Sequence, residues 1–147
     1  MGSGMAGLLE PLLPFTGYLA LFLRVVVGAS LMMHGYPKTK GIRGTTNFVQ
    51  TMGIPSGAAY AVAALVTALE FIGGLFLIVG LIVPVVGFFF AIQFVAITIA
   101  KKFKLKGTYV SGQGPVKYEI DVLYLLLAIV LMVLGAGAFS IDGALGL

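Results

Sequence analysis

The chain has 147 residues, 60% of them hydrophobic and 10% charged, and a mean hydropathy of +1.12. An average soluble domain carries roughly a quarter charged residues, so lipid rather than water is the natural solvent here, and one membrane domain over residues 1–147 is expected. The absence of cysteine excludes disulfides, thiolate metal sites, iron-sulfur ligation and Cys-x-x-Cys chemistry. The net charge of +4 comes from bases at the ends of apolar runs, which points to lipid headgroups and to no nucleic-acid partner.

Met1 to Ala6 is Gly-rich and nothing functional is read from it. From Phe15 to about Tyr36 the chain is apolar except for Arg24 and His34, long enough to cross a hydrocarbon core of about 30 Å. No Lys or Arg precedes this run and it exceeds the apolar core of a signal peptide, so it reads as a retained span. Pro37 to Ser56 follows, and Thr45 to Gly53 within it predicts a short capped helix lying along the interface, stopped by Gly53 and Pro55.

The next apolar run, Gly57 to Ala100, would reach about 66 Å as one helix and must fold back. Gly80-Leu81-Ile82-Val83-Pro84 supplies the turn, giving a tight hairpin of spans 57–80 and 84–100. Phe103 to Lys106 and Thr108 to Ser111 alternate in polarity on either side of Gly107, which predicts a small strand pair. A fourth span runs from Glu119, with Asp121 also at its N-terminus, to about Phe139, weakened near its end by Gly135 and Gly137. The predicted fold is an all-α membrane bundle of four transmembrane helices.

Lys38, Lys40 and Arg43 fall in the first connection and Lys101, Lys102, Lys104, Lys106 and Lys117 in the third. The positive-inside rule puts loops 37–56 and 101–118 in the cytoplasm of a cell-membrane protein, with both termini and the turn near Pro84 outside.

Polar groups at membrane depth are costly, about 2.5 to 3.5 kcal/mol each for charges at a helix centre, and call for partners. Counted from Tyr36 and Ser56, Arg24 and Glu70 reach similar depths, about 18 and 21 Å. Small residues flank both, which predicts an Arg24 to Glu70 ion pair, either a polar site or a static pair that fixes register. His34 should share a second cluster with Glu119 and Asp121, as a proton carrier or a plain hydrogen-bonder. One His excludes a bis-histidine haem and leaves too few nitrogen ligands for zinc, so no metal is expected. Gln93 is expected to bond across to another helix, Phe88 to Phe90 to face lipid or fill the bundle, and Asp142 to cap a helix end.

Arg24 with His34-Gly35-Tyr36-Pro37-Lys38, then Met52-Gly53-Ile54-Pro55, then Glu70 to Gly80, then Gly135 to Asp142, resemble in order and spacing the DoxX family of small four-helix membrane proteins. The likeness spans about residues 18–145. It implies a prokaryotic multi-pass protein related to the DoxD-type subunits of thiosulfate:quinone oxidoreductase, once described as terminal quinol oxidase subunits. The family's recurrent charged positions correspond to Arg24, His34, Lys38, Glu70 and Asp142.

Two functions compete. In the first, the chain is a quinone-interacting subunit of a membrane oxidoreductase system, not self-sufficient and served by a membrane or peripheral oxidoreductase partner. Arg24, His34 and Glu70 then orient a quinone cofactor. In the second it is a non-catalytic scaffold or assembly factor with a structural polar core, a role that distant eukaryotic relatives suggest. A small transporter ranks behind both, since no pair of Gly/Pro-broken helices stands out at mid-depth. Small-residue faces would also serve a homodimer.

Overall fold

The computed structural model describes residues 10–110 and 114–147, so the Gly-rich start and Ser111 of the expected strand pair lie outside it. A short 3₁₀ segment, Glu10–Phe15, leads into α1 (Thr16–Lys40), followed by α2 (Ile42–Thr51), α3 (Ser56–Val79), α4 (Val83–Lys104), α5 (Glu119–Leu134) and α6 (Ile141–Leu145). The protein is an all-α membrane protein, and α1, α3 and α4 are each long and apolar enough to cross a bilayer. At 16 residues α5 is shorter than the expected span, because Gly135 takes a left-handed φ of +74° and ends it.

Small residues set the packing partners. Gly28 on α1 meets Gly74 and Ile78 on α3 so closely that a β-carbon there would lie 2.5 Å from the Gly74 carbonyl oxygen. Gly87 on α4 admits the backbone of α5 at Ala128 and Met132 in the same way. The core of Val27, Leu31, Leu77, Val83, Phe90 and Leu131 fills the space where these pairs meet.

The α3–α4 hairpin departs from expectation. Its turn is short, with Gly80 closing α3 at φ +73° and Pro84 in the first turn of α4, as the sequence signals require. Beyond the turn the two helices separate, because each gives its small-residue face to another partner, α1 or α5. The facing positions Leu69, Ile72 and Phe76 on α3 and Val85, Phe89 and Ile92 on α4 are bulky, and a half-open groove of about 860 Å³ runs between the helices.

Three further boundaries differ. α1 continues one turn past Tyr36, through Pro37, to Lys40. Proline removes one helical hydrogen bond but close to a helix end this does not stop the chain. α2 starts at Ile42, earlier than its Thr45 signal, with Gly41 rather than a side chain at its N-terminus. It packs on the first half of α3 through Val49, Ala59 and Ala63. The expected strand pair is absent among the described residues: Ala100–Lys104 is a π-helical turn that extends α4, leaving an isolated bridge between Thr108 and Lys117. The alternating Phe and Lys residues suit a helix end whose lysines reach for the interface.

Candidate functional site

The π-helical turn Leu69–Gly73 interrupts α3 where it carries Glu70, and such widened turns recur at functional sites. Gly35 of α1 lies so near that an added β-carbon would sit 2.9 Å from the Phe71 nitrogen and 3.1 Å from Glu70 Cβ. This close approach brings Lys38, one turn further along α1, onto Glu70. Lys38 Nζ donates to Glu70 Oε2 at 2.5 Å, and Gln93 Nε2 of α4 donates to Glu70 Oε1 at 3.0 Å. Glu70 is 3% exposed and Gln93 7%. Glu70 precedes the Gly80 turn by ten residues and Gln93 follows Ile82 by eleven, about 15 and 16 Å of helix, half of a hydrocarbon core of about 30 Å. The ion pair therefore sits about half a span's length along the hairpin from its turn, with Lys38 as its cation.

The expected Arg24 to Glu70 pair does not form. Gly28 crosses α3 at Gly74, Gly35 meets it at Glu70, and Arg24 lies against Gly80 at the hairpin turn. The depth count erred because it set the ends of α1 and α3 level, whereas α3 extends well past α1 on that side and α2 covers the excess.

Arg24 is fully buried beside the turn instead. Its Nη2 donates to the Phe139 carbonyl oxygen at 2.5 Å, and Gly80 has no β-carbon because Arg24 Nη1 occupies that space. Asp142, 4% exposed, accepts from the Ile82 and Val83 backbone N–H groups at 2.6 and 2.9 Å, while its own N–H donates to the Gly80 carbonyl at 2.9 Å. It is a capping residue as expected, but for the N-terminus of α4 rather than for the end of its own span. Its carboxylate also faces the Arg24 charge. Arg24, Gly80 and Asp142 thus tie α1, the α3–α4 turn and the segment after α5 into one knot.

His34 joins neither group. It is exposed and lies edge-on to Tyr124 of α5 at 6.0 Å between ring centroids. The Tyr124 hydroxyl is hydrogen-bonded to Ser30, and its ring stacks on Phe94 at 5.1 Å. Asp121, one turn before Tyr124, pairs with Lys101 at 2.6 Å, and Glu119 opens α5. Of the six residues singled out in the sequence, the structure brings together Lys38 with Glu70, and Arg24 with Asp142, leaving His34 and Glu119 apart from both pairs. Phe90 fills the core while Phe88 and Phe89 are about half exposed, as expected for that triplet.

The α3–α4 groove runs alongside Lys38 and Gln93, and its other walls are apolar apart from Thr45 and backbone at Gly44 and Gly73. Gln93 Oε1 is buried without a hydrogen-bond partner among the described residues. Unpaired buried polar atoms are rare and call for a ligand, a water or an ion. The groove was not legible from composition, and Gln93 was expected only as a helix-to-helix bond. Its spacing from Ile82, matching that of Glu70 from Gly80, is the signal that could have placed it beside Glu70.

The DoxX family's sequence profile matches residues 19–102, which include Arg24, His34, Lys38, Glu70 and Gln93. The chain is also similar to a Bacillus subtilis (strain 168) protein described as "Putative oxidoreductase CatD", 34% identical over 122 residues that make up 83% of each chain. No solved structure matches the chain significantly. With a profile covering more than half of its length and a relative aligned over most of it, the chain belongs to the DoxX family.

Proposed function

We propose that this protein is a quinone-interacting subunit of a membrane oxidoreductase system, with the headgroup site at Lys38, Gln93 and Glu70. The observation that carries the reading is the unpaired, buried Gln93 Oε1 beside an apolar groove between two helices long and apolar enough to cross a membrane. The oxidoreductase description of the Bacillus relative supports the same class of activity.

The residues present suit such a group. Lys38 Nζ has donors beyond the one given to Glu70 and can hold a ring oxygen, while Gln93 Oε1 can accept from a ring hydroxyl. Glu70 fixes both side chains, one on each oxygen. The apolar walls exclude water from the ring. A bound quinone supplies two-electron, two-proton chemistry; the electrons come from or go to an oxidoreductase partner. This site replaces the one expected at Arg24, His34 and Glu70. In this reading α5 and the chain up to Phe139 complete a fourth crossing, both termini and the turn lie outside, and the lysine-rich connections face the cytoplasm of a cell-membrane protein.

The scaffold reading has one observation in its favour: the knot at Arg24 and Asp142 engages backbone groups of the α3–α4 turn and of the segment after α5, an arrangement that fixes the bundle. Mass spectrometry of lipid and quinone bound to gently purified protein separates the two. Quinone should accompany the wild type, be lost from folded Gln93→Leu, and be retained by Arg24→Lys. No quinone in any of them would leave the scaffold reading as the better one.

A further inference from the structure

The groove has two arms that differ in chemistry, and they meet at Lys38 and Gln93. The arm toward the α3–α4 turn is lined by Ile72, Phe76, Ile82, Val85 and Phe89, with no polar side chain. It runs about 16 Å along α4 from Gln93 to Ile82. The opposite arm is walled by α2 and the residues just after it, through Phe48, Met52 and Ile54, and differs in including Thr45 and the Gly44 backbone. Toward that end Lys104 lies against Gly53, where its ammonium fills the space that a β-carbon would take. A hydrocarbon chain threaded under α2 would end against that ammonium, while one laid in the other arm meets only apolar walls and lipid.

We infer that the groove orients its ligand: the headgroup rests at Lys38 and Gln93, and a single hydrocarbon tail lies in the arm between Phe76 and Val85, pointing to the hairpin turn and not under α2. The inference rests on the headgroup reading above and adds the direction and place of the tail. Bilayer lipid is as apolar as the groove walls, so tail position is a better test than affinity.

Two benzoquinone probes with saturated tails would be used in lipid nanodiscs, one with a diazirine next to the ring and one with it about 16 Å along the tail. After illumination, labelled residues are mapped by mass spectrometry with and without excess unmodified quinone. The ring-proximal probe is expected to label near Leu69, Ile72 or Ala96, and the distal probe at Phe76, Ile82, Val85 or Phe89, both abolished by competitor. Distal labelling of Phe48, Met52 or Ile54, or distal labelling that competitor does not reduce, overturns the tail placement. Absence of any competed label from the proximal probe overturns the headgroup reading instead. Val85→Trp, at a position 49% exposed, should reduce distal labelling severalfold and spare proximal labelling; equal labelling in both probes counts against the arm.

Discussion

Replacing Lys38 by methionine tests the Lys38–Glu70 ion pair and its partners. The substitution keeps the apolar stem and removes the donor that holds Glu70 Oε2 at 2.5 Å. Glu70, with its side chain 4% exposed, would keep one neutral hydrogen bond from Gln93 and no countercharge from α1. Breaking a buried pair from one side costs about 3 to 5 kcal/mol, because the remaining charge is left desolvated. The Lys38 side chain is 31% exposed along the groove, so the lower end, about 3 kcal/mol, is expected. Glu70→Gln alongside Lys38→Met removes the stranded charge and should restore most of that loss. Reversible unfolding in mixed micelles, followed by circular dichroism, measures all members of the cycle. The reasoning is refuted if Lys38→Met costs less than about 1 kcal/mol, or if the double variant is no more stable than the single one. A parallel cycle between Arg24→Lys and Glu70→Gln should show coupling below about 0.5 kcal/mol, since the two residues share no partner.

The turn and the helix crossings give three further expectations on the same assay. Gly80→Ala places a β-carbon on Arg24 Nη1 at a backbone φ of +73° and should cost at least about 2 kcal/mol. Asp142→Ala removes the acceptor of two α4 N–H groups and should cost about 2 kcal/mol, with Asp142→Asn retaining part of the cap. Gly28→Val at the α1–α3 crossing should prevent a native fold, while Gly44→Ala on α2, with no atom within 4 Å of the new carbon, should gain about 0.5 to 1 kcal/mol. Equal effects at Gly28 and Gly44 would contradict the packing described.

Apolar runs made the helices legible, because their lengths match the bilayer and Gly80 with Pro84 leaves few choices for the turn. The relative register of α1 and α3 was misread for a specific reason. Depth counted from helix ends sets the ends of α1 and α3 level, whereas the first turns of α3 lie beyond the end of α1 and pack on α2. The sequence held a better ruler: matching Gly28 to Gly73-Gly74 as a close crossing levels Arg24 with the residues just before Gly80 and so takes it away from Glu70. Arg24 and Asp142 were each recognised as costly groups, yet their common knot joins positions 118 residues apart through a turn that no local pattern announces. The Thr108 to Lys117 bridge and the extension of α4 through Lys104 show the opposite limit, where alternation alone cannot separate a strand from a helix end with interfacial lysines.

The groove follows from how small residues are distributed. A hairpin with a turn as short as 80–82 would ordinarily pack its two helices on each other. Here Gly28 against Gly74 commits α3 to α1, and Gly87 against Ala128 commits α4 to α5, so the close-approach surfaces point away from the hairpin's own interior. Between α3 and α4 remain mostly branched and aromatic side chains, which hold the backbones apart on the groove side, while Gly73 meets the Phe90 ring midway. The knot of Arg24 and Asp142 then fixes that turn from the outer partners' side, and Glu70 with Gln93 bridges the hairpin midway. A cleft held open by packing and bridged at one polar point sets side-chain donors beside apolar walls, the arrangement that the proposed ligand requires. A bundle stabilised by apolar contacts alone has no need of Gln93 at that depth.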